Sequence, residues 1–305
     1  MRFLIALVLV LAGFGHAADA DRATYIQLAK RGWSYDLRET MVGRDLTIPV
    51  LINGRGLAGA SLCVVGERPR RSSLDVIDSF RALVRQTYGK PMPMRYAGPE
   101  ARACGSGRSV ILRLYSGAPP NQALSEDLRW MDSVYQLGLP GRGYFAATSP
   151  AMAQTFFGRQ GQGTHIMVKQ PTVSPRSDIE AAFYKSILIE ELYQSFTFGM
   201  DVLVFDRAEV YLSKLQEFPL NLWRQSWESP DFMRALLRSN PPGLCTFDVF
   251  MMYAVAEAPV EQTNEPAFID YIEANYDALH ARAIATMGDP AYASVLDPGC
   301  KIYGS

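Results

Sequence analysis

Apolar and polar positions follow two rhythms along this chain, and the change falls at one long stretch, Ser177 to Asp201 (SDIEAAFYKSILIEELYQSFTFGMD). Before it, β-branched runs alternate with segments of helical spacing. Leu46 to Ile52, Ser61 to Val65, Ser109 to Tyr115 and His165 to Val168 read as strands, the first confined to a sheet edge by Pro49, and Pro91 to Ala97 is compatible with one more. Residues 22–36, Ser72 to Tyr88 and Leu124 to Leu137 carry apolar residues three and four apart. Ser72 supplies an N-cap for the second of these, and Gly89 and Gly138 stop the second and third. Pro140 to Gly163, rich in Gly, Ala, Ser and Gln, reads as mostly loop. After Asp201 the spacing predicts helices over Phe205 to Leu215, Pro230 to Arg238, Thr246 to Glu257 and Pro266 to Thr286. This is an α+β pattern: residues 21–201 form a small mixed sheet and a long central helix, and residues 202–305 form a mainly helical part packed with it as one unit.

The first 20 residues fall outside both rhythms. Met1-Arg2 is positive, Phe3 to Phe14 apolar, and Gly15-His16-Ala17 or Ala18-Asp19-Ala20 offers a small-residue cleavage site, which together read as an export signal. The apolar run has about a dozen residues where a spanning helix needs roughly 20, so no membrane association is expected after cleavage. Export places the chain in a periplasmic or secreted setting. There the four cysteines, Cys63, Cys104, Cys245 and Cys300, are expected as two disulfides. Pairing Cys63 with Cys104 and Cys245 with Cys300 keeps each loop within one half of the chain, and each closure stabilises by roughly 4 kcal/mol in the chain-entropy picture. A formal charge of -1 gives no electrostatic case for nucleic acid.

The chemistry concentrates in the central helix. Ser177 and Glu180 have capping-box spacing. At 100° per residue, Glu180, Tyr184, Glu190, Glu191 and Gln194 share a sector of roughly 120°, while Ala181, Ala182, Leu188, Ile189, Leu192 and Phe196 fill the remainder. A helix so apolar is buried, and its polar sector must then face water or line a cleft. Two readings stand side by side. Glu190 and Glu191 pair with arginines or cap amides in a structural network, or they are raised-pKa carboxyls that act as acids, bases or ligands.

The run Glu190-Glu191-Leu192-Tyr193-Gln194-Ser195-Phe196-Thr197-Phe198-Gly199-Met200-Asp201 resembles the E-E-x-x-Q-x-hydrophobic-x-hydrophobic-x-x-D signature of a bacterial exported family, domain of unknown function 2927, and Ser229 to Arg238 is similar to a helix that follows in that family. The resemblance implies a zincin-like arrangement: a sheet with an edge strand, an active-site helix and a helical lower part. Against the zinc-peptidase pattern H-E-x-x-H, neither register supplies a histidine. With Glu191 as base the ligand positions hold Glu190 and Gln194; with Glu190 as base they hold Ile189 and Tyr193. Beyond the export signal only His165 and His280 remain, too few for a three-histidine zinc site. The expectation is a degenerate zincin-like domain with no metal or other cofactor. Its cleft, at Glu190, Tyr193, Gln194 and Asp201, binds an extended peptide, a cell-wall fragment or an envelope protein, and the strand at His165 to Val168 offers an edge for pairing. The alternatives are a peptidase or glycosidase with Glu191 as general base, and a structural envelope protein with no open cleft.

Other signals are weaker. Gly54-Arg55-Gly56-Leu57-Ala58-Gly59 matches G-x-G-x-x-G, but a strand follows where the dinucleotide fingerprint requires a helix. No G-x-S-x-G is present. Glu190 and Glu191 point about 100° apart and form no glycosidase dyad by themselves, although Asp201 or Asp231 would supply a second acid. Trp33, Trp130, Trp223 and Trp227 read first as core residues and second as sugar-stacking platforms.

Overall fold

The computed structural model describes residues 21–36, 47–107, 109–140 and 143–304. The export-signal stretch 1–20 and Leu46 lie outside them. Helix α1 covers 21–33. Strand β1 (Ser61–Gly66) leads into α2 (Arg71–Tyr88), β2 (Met94–Tyr96), β3 (Ser109–Tyr115) and α3 (Asn121–Tyr135). A hairpin of β4 (Ala151–Gly158) and β5 (Gly161–Lys169) then feeds the central helix α4 (Asp178–Thr197). The remainder holds the two-residue strands β6 (Val202–Leu203) and β7 (Gln216–Glu217) and the helices α5 (Pro230–Leu237), α6 (Thr246–Glu257) and α7 (Pro266–Met287). Helices around a five-stranded mixed sheet make this an α+β fold. No helix among the described residues is long and apolar enough to cross a membrane.

The sheet runs β2-β1-β3-β5-β4, with all neighbours parallel except the antiparallel β4–β5 pair. Period-2 alternation sends Leu62, Val64, Leu112, Ile166 and Val168 into one core with α2, α4, α6 and α7. Cys63, Val65, Ile111 and Met167 go to a smaller core under α3. The larger core draws on residues both before and after Asp201, so the two parts pack as one body. The Cys63–Cys104 disulfide lies beneath the smaller core, and Cys245–Cys300 ties the start of α6 to the C-terminal segment, the pairing expected from the loops.

The central helix is buried along most of its length. Its last carbonyls, which no helical amide reaches, are met by three aromatic donors: Tyr88 Oη donates to Phe196 O (2.7 Å), Trp33 Nε1 to Thr197 O (2.9 Å) and Tyr35 Oη to Phe198 O (2.8 Å). At its start Ser177 Oγ accepts from Glu180 N, as the capping box requires, but Glu180 reaches back to Arg176 N rather than Ser177 N.

Several expectations are corrected. The stretch 140–163 is not mostly loop, because it contains the whole of β4; pairing with β5, including a Thr155–Thr164 hydroxyl contact of 2.9 Å, makes a strand where the residues alone gave no alternation. It follows that His165 to Val168 lies inside the sheet, between β3 and β4, and the edge belongs to β4. Thr47 to Ile52 forms no strand. Phe205 to Leu215 forms no helix: the amides of Leu212 and Ser213 go to Gln216 Oε1 and that of Lys214 to Asp248 Oδ2, leaving no helical ladder. Helix α2 begins one residue before Ser72, after Arg70, and its start is served by Gln170, whose Oε1 accepts from Arg70 N and Ser73 Oγ. Gly54-Arg55-Gly56 forms a short 3-10 turn followed by a strand. Gly54 is required there by close packing, since a Cβ would lie 2.7 Å from Phe196 O.

Candidate binding site at the central helix

Glu190 faces the segment that joins β6 to β7. Lys214, fully buried, places Nζ 2.8 Å from Glu190 Oε2, 2.9 Å from Ser186 Oγ and 3.0 Å from Asn240 Oδ1. Asn240 Nδ2 donates to the same Glu190 oxygen at 3.0 Å. The ammonium therefore has an acceptor for each of its three protons, which a buried lysine requires. Asp248 sets its position from the start of α6. Its carboxylate accepts from Ser213 Oγ (2.5 Å), Lys214 N (2.7 Å) and Cys245 N (2.7 Å), and burial still pushes it up to about 6.

Glu191 turns the other way, toward the sheet edge. There the backbone N–H of Ala153 and the Lys214 ammonium favour its charged form. Lys169 N donates to Pro150 O, so the even-numbered residues of β4 bond to β5 and the odd-numbered ones, Ala151, Ala153, Thr155 and Phe157, direct their backbone groups outward. Glu191 thus lies beside one outward amide of an edge strand. Burial, then the charges of Glu190 and Asp201, raise its carboxyl well above the usual range. Asp201 lies just beyond the helix end, where Gln194 Nε2 donates to its Oδ1 at 2.5 Å. As a residue Asp201 is exposed, but its carboxyl is crowded by protein, and desolvation followed by the charges of Glu190 and Glu217 pushes it up to about 7. Glu217 on β7 is raised in the same way.

The structure thus gathers Glu190, Glu191, Gln194 and Asp201 around one cation. Tyr193, expected in the same sector, is fully buried and donates to Asp248 O at 3.2 Å, so it lines no cleft. Asp231 lies elsewhere, paired with Arg234 on α5. Lys214, Glu217 and Asn240 were missed in the sequence. Lys214 sits in a run whose spacing reads as an amphipathic helix, and no local signal marks its burial. Among the described residues no three His, Cys, Asp or Glu side chains are grouped to hold a metal ion. His165 belongs to the opposite sheet face, where its Nε2 lies 2.9 Å from Asp127 Oδ2, and His280 stacks on Tyr276 at 5.4 Å. No protein-family profile, curated protein or solved structure matches the chain.

Proposed function

We propose that the chain is an exported, periplasmic or secreted binding protein: a zincin-like arrangement of edge strand, central helix and helical lower part without metal ligands. Its cleft takes an extended peptide, a cell-wall fragment or a segment of a protein partner. The observation that carries this reading is the outward edge of β4 beside α4, where the amide of Ala153 points away from β5 and lies beside the Glu191 carboxyl. An incoming strand pairs with that edge and replaces the Glu191 carboxylate at Ala153, as in other strand-addition complexes. Commitment of the helix carboxylates supports recognition over turnover. Glu190 is paired with Lys214 and bonded to Asn240, and the Glu191 carboxyl is buried beside Glu190 and Asp201.

The test is selection of extended decapeptides from a displayed random library, followed by hydrogen exchange at the amides of Ala151, Ala153 and Thr155. Selected peptides are expected to slow exchange there, and Thr155→Pro, which deletes one outward N–H at an edge where proline is tolerated, is expected to weaken them about tenfold. Peptides that bind without protecting β4 would sink the reading. A hydrolytic second reading rests on Asp201, a carboxyl near 7 able to give up a proton at neutral pH, with Glu191 as base. Cleavage of the same peptides that is lost in Glu191→Gln would favour it.

A further inference from the structure

Directly after Glu217 the chain forms an open loop over 218–229. Its Trp223 is 76% exposed, although an indole buries more apolar area than almost any other side chain when the fold permits it. The next residue, Arg224, has φ 73°, a left-handed conformation that a non-glycine residue adopts at a cost. That turn sets the Arg224 guanidinium 4.1 Å from the centre of the Trp223 ring. Trp227 packs partly against the larger core. Between this loop and the head of β4 lies a cavity of about 460 Å3, lined by Thr148, Ser149, Glu217, Asn221, Trp223 and Trp227 among others.

We infer that this cavity is a saccharide subsite: it takes a neutral oligosaccharide, whose pyranose rings stack on Trp223 and Trp227 and whose hydroxyls bond to Glu217, Asn221, Thr148 and Ser149. The volume lies in the roughly 300–1,000 Å3 range of small-molecule sites. The chemistry of the walls selects the class. The walls carry one carboxylate, Glu217, and one guanidinium, Arg224, which is turned onto the Trp223 ring, while the Lys214 ammonium behind them is buried with three acceptors, so the lining favours no net charge in the ligand. A proline-rich peptide suits aromatic walls but brings few N–H donors to an acceptor-only carboxylate. A pyranose matches both halves of the cavity. It has a C–H face for the indoles and a rim of hydroxyls that donate to carboxylate and amide oxygens, the carboxylate bonds being the stronger kind. Arg224 over the Trp223 ring holds the indole in place at the cavity wall. The subsite is independent of strand pairing at β4, so each reading can fail without the other.

The experiment uses the exported chain with chitotetraose and cellotetraose as probes, read by calorimetry and by tryptophan fluorescence. At least one is expected to bind with a Kd below about 1 mM. Trp223→Ala, at an exposed position where folding is not at stake, is expected to weaken binding at least about tenfold. Trp223→Phe is expected to retain most of it, and Glu217→Gln to weaken it about threefold to tenfold. Three results overturn the inference: no binding of either sugar at about 10 mM, binding unchanged in Trp223→Ala, or Trp223-dependent binding of decaproline or spermidine in place of both sugars.

Discussion

Two clusters of buried charge sit on opposite faces of the sheet, and they solve the same problem in opposite ways. Under α3, Asp127 accepts from Arg113 Nε (2.5 Å) and Nη2 (2.7 Å), from Ala101 N (3.3 Å), and lies 2.9 Å from His165 Nε2. Arg113, Asp127 and His165 are each at most 4% exposed. Burial alone would raise Asp127, but its bonds to His165 and Arg113 outweigh that and hold the carboxyl below the usual range. Charge there is balanced and directed inward. At the central helix, Glu190, Glu191, Asp201 and Glu217 surround the single ammonium of Lys214, and the carboxyls of Glu191, Asp201 and Glu217 are all raised. A cluster that only held the fold together would resemble the first. Surplus negative charge beside an open cavity and a sheet edge is the feature on which the proposed recognition of neutral donors rests.

The largest expected effect breaks the balanced cluster. Asp127→Ala strands Arg113 in the interior with only Pro99 O still accepting from it, and removing one member of a buried pair costs about 3–5 kcal/mol. Urea unfolding is expected to show this loss undiminished between pH 8 and pH 5, because a carboxyl held below its ordinary value stays ionised over that interval.

Lys214→Met is expected to cost somewhat less, about 3 kcal/mol at pH 8, since Glu190 retains the Asn240 bond and some contact with solvent. Its pH dependence should run the other way. A carboxyl whose folded pKa is raised binds its proton more readily in the folded state, so stability falls as pH climbs from the unfolded value near 4 toward the folded one, about 7 for Asp201. Without the ammonium that fall steepens. The penalty for Lys214→Met should therefore shrink by half or more at pH 5, and a penalty equal at both pH values would show that the cluster carries no surplus charge.

The contrast also explains which features are legible in the residues alone. The helices α2 to α7, the strands β1 and β3, the part of β5 from His165 to Val168, and both disulfides follow from local patterning and loop length. So does the burial of α4, whose apolar residues nearly encircle it. Strand β4 was hidden because Ala151, Ala153 and Gly158 are poor strand formers that hold their place only through pairing with β5. The helix side of the acidic cluster was legible because Glu190, Glu191 and Gln194 share one helix face. Its cation was not. Lys214 enters the core through Asp248, 34 residues away, whose carboxylate pulls the intervening backbone out of helical pairing. Trp223, read first as a core residue, lies on an exposed loop.

Glu191→Gln is expected to have the smallest effect and to divide the readings most finely. A glutamine keeps the shape of the side chain and an oxygen that can face the Ala153 N–H, while the change removes one negative charge from beside Glu190 and Asp201. A raised carboxyl loses stability as pH climbs and a neutral amide does not, so the variant's stability relative to the native chain should be higher at pH 8 than at pH 5, by up to about 1 kcal/mol. Urea midpoints at the two pH values measure this directly. If the variant instead loses stability at pH 8, the Glu191 carboxylate is a structural anchor for β4 as indispensable as Asp127 is beneath α3, and the two clusters differ in charge count but not in role. A gain at pH 8 with peptide binding retained leaves the carboxylate as a placeholder on the Ala153 amide, displaced when an extended ligand arrives.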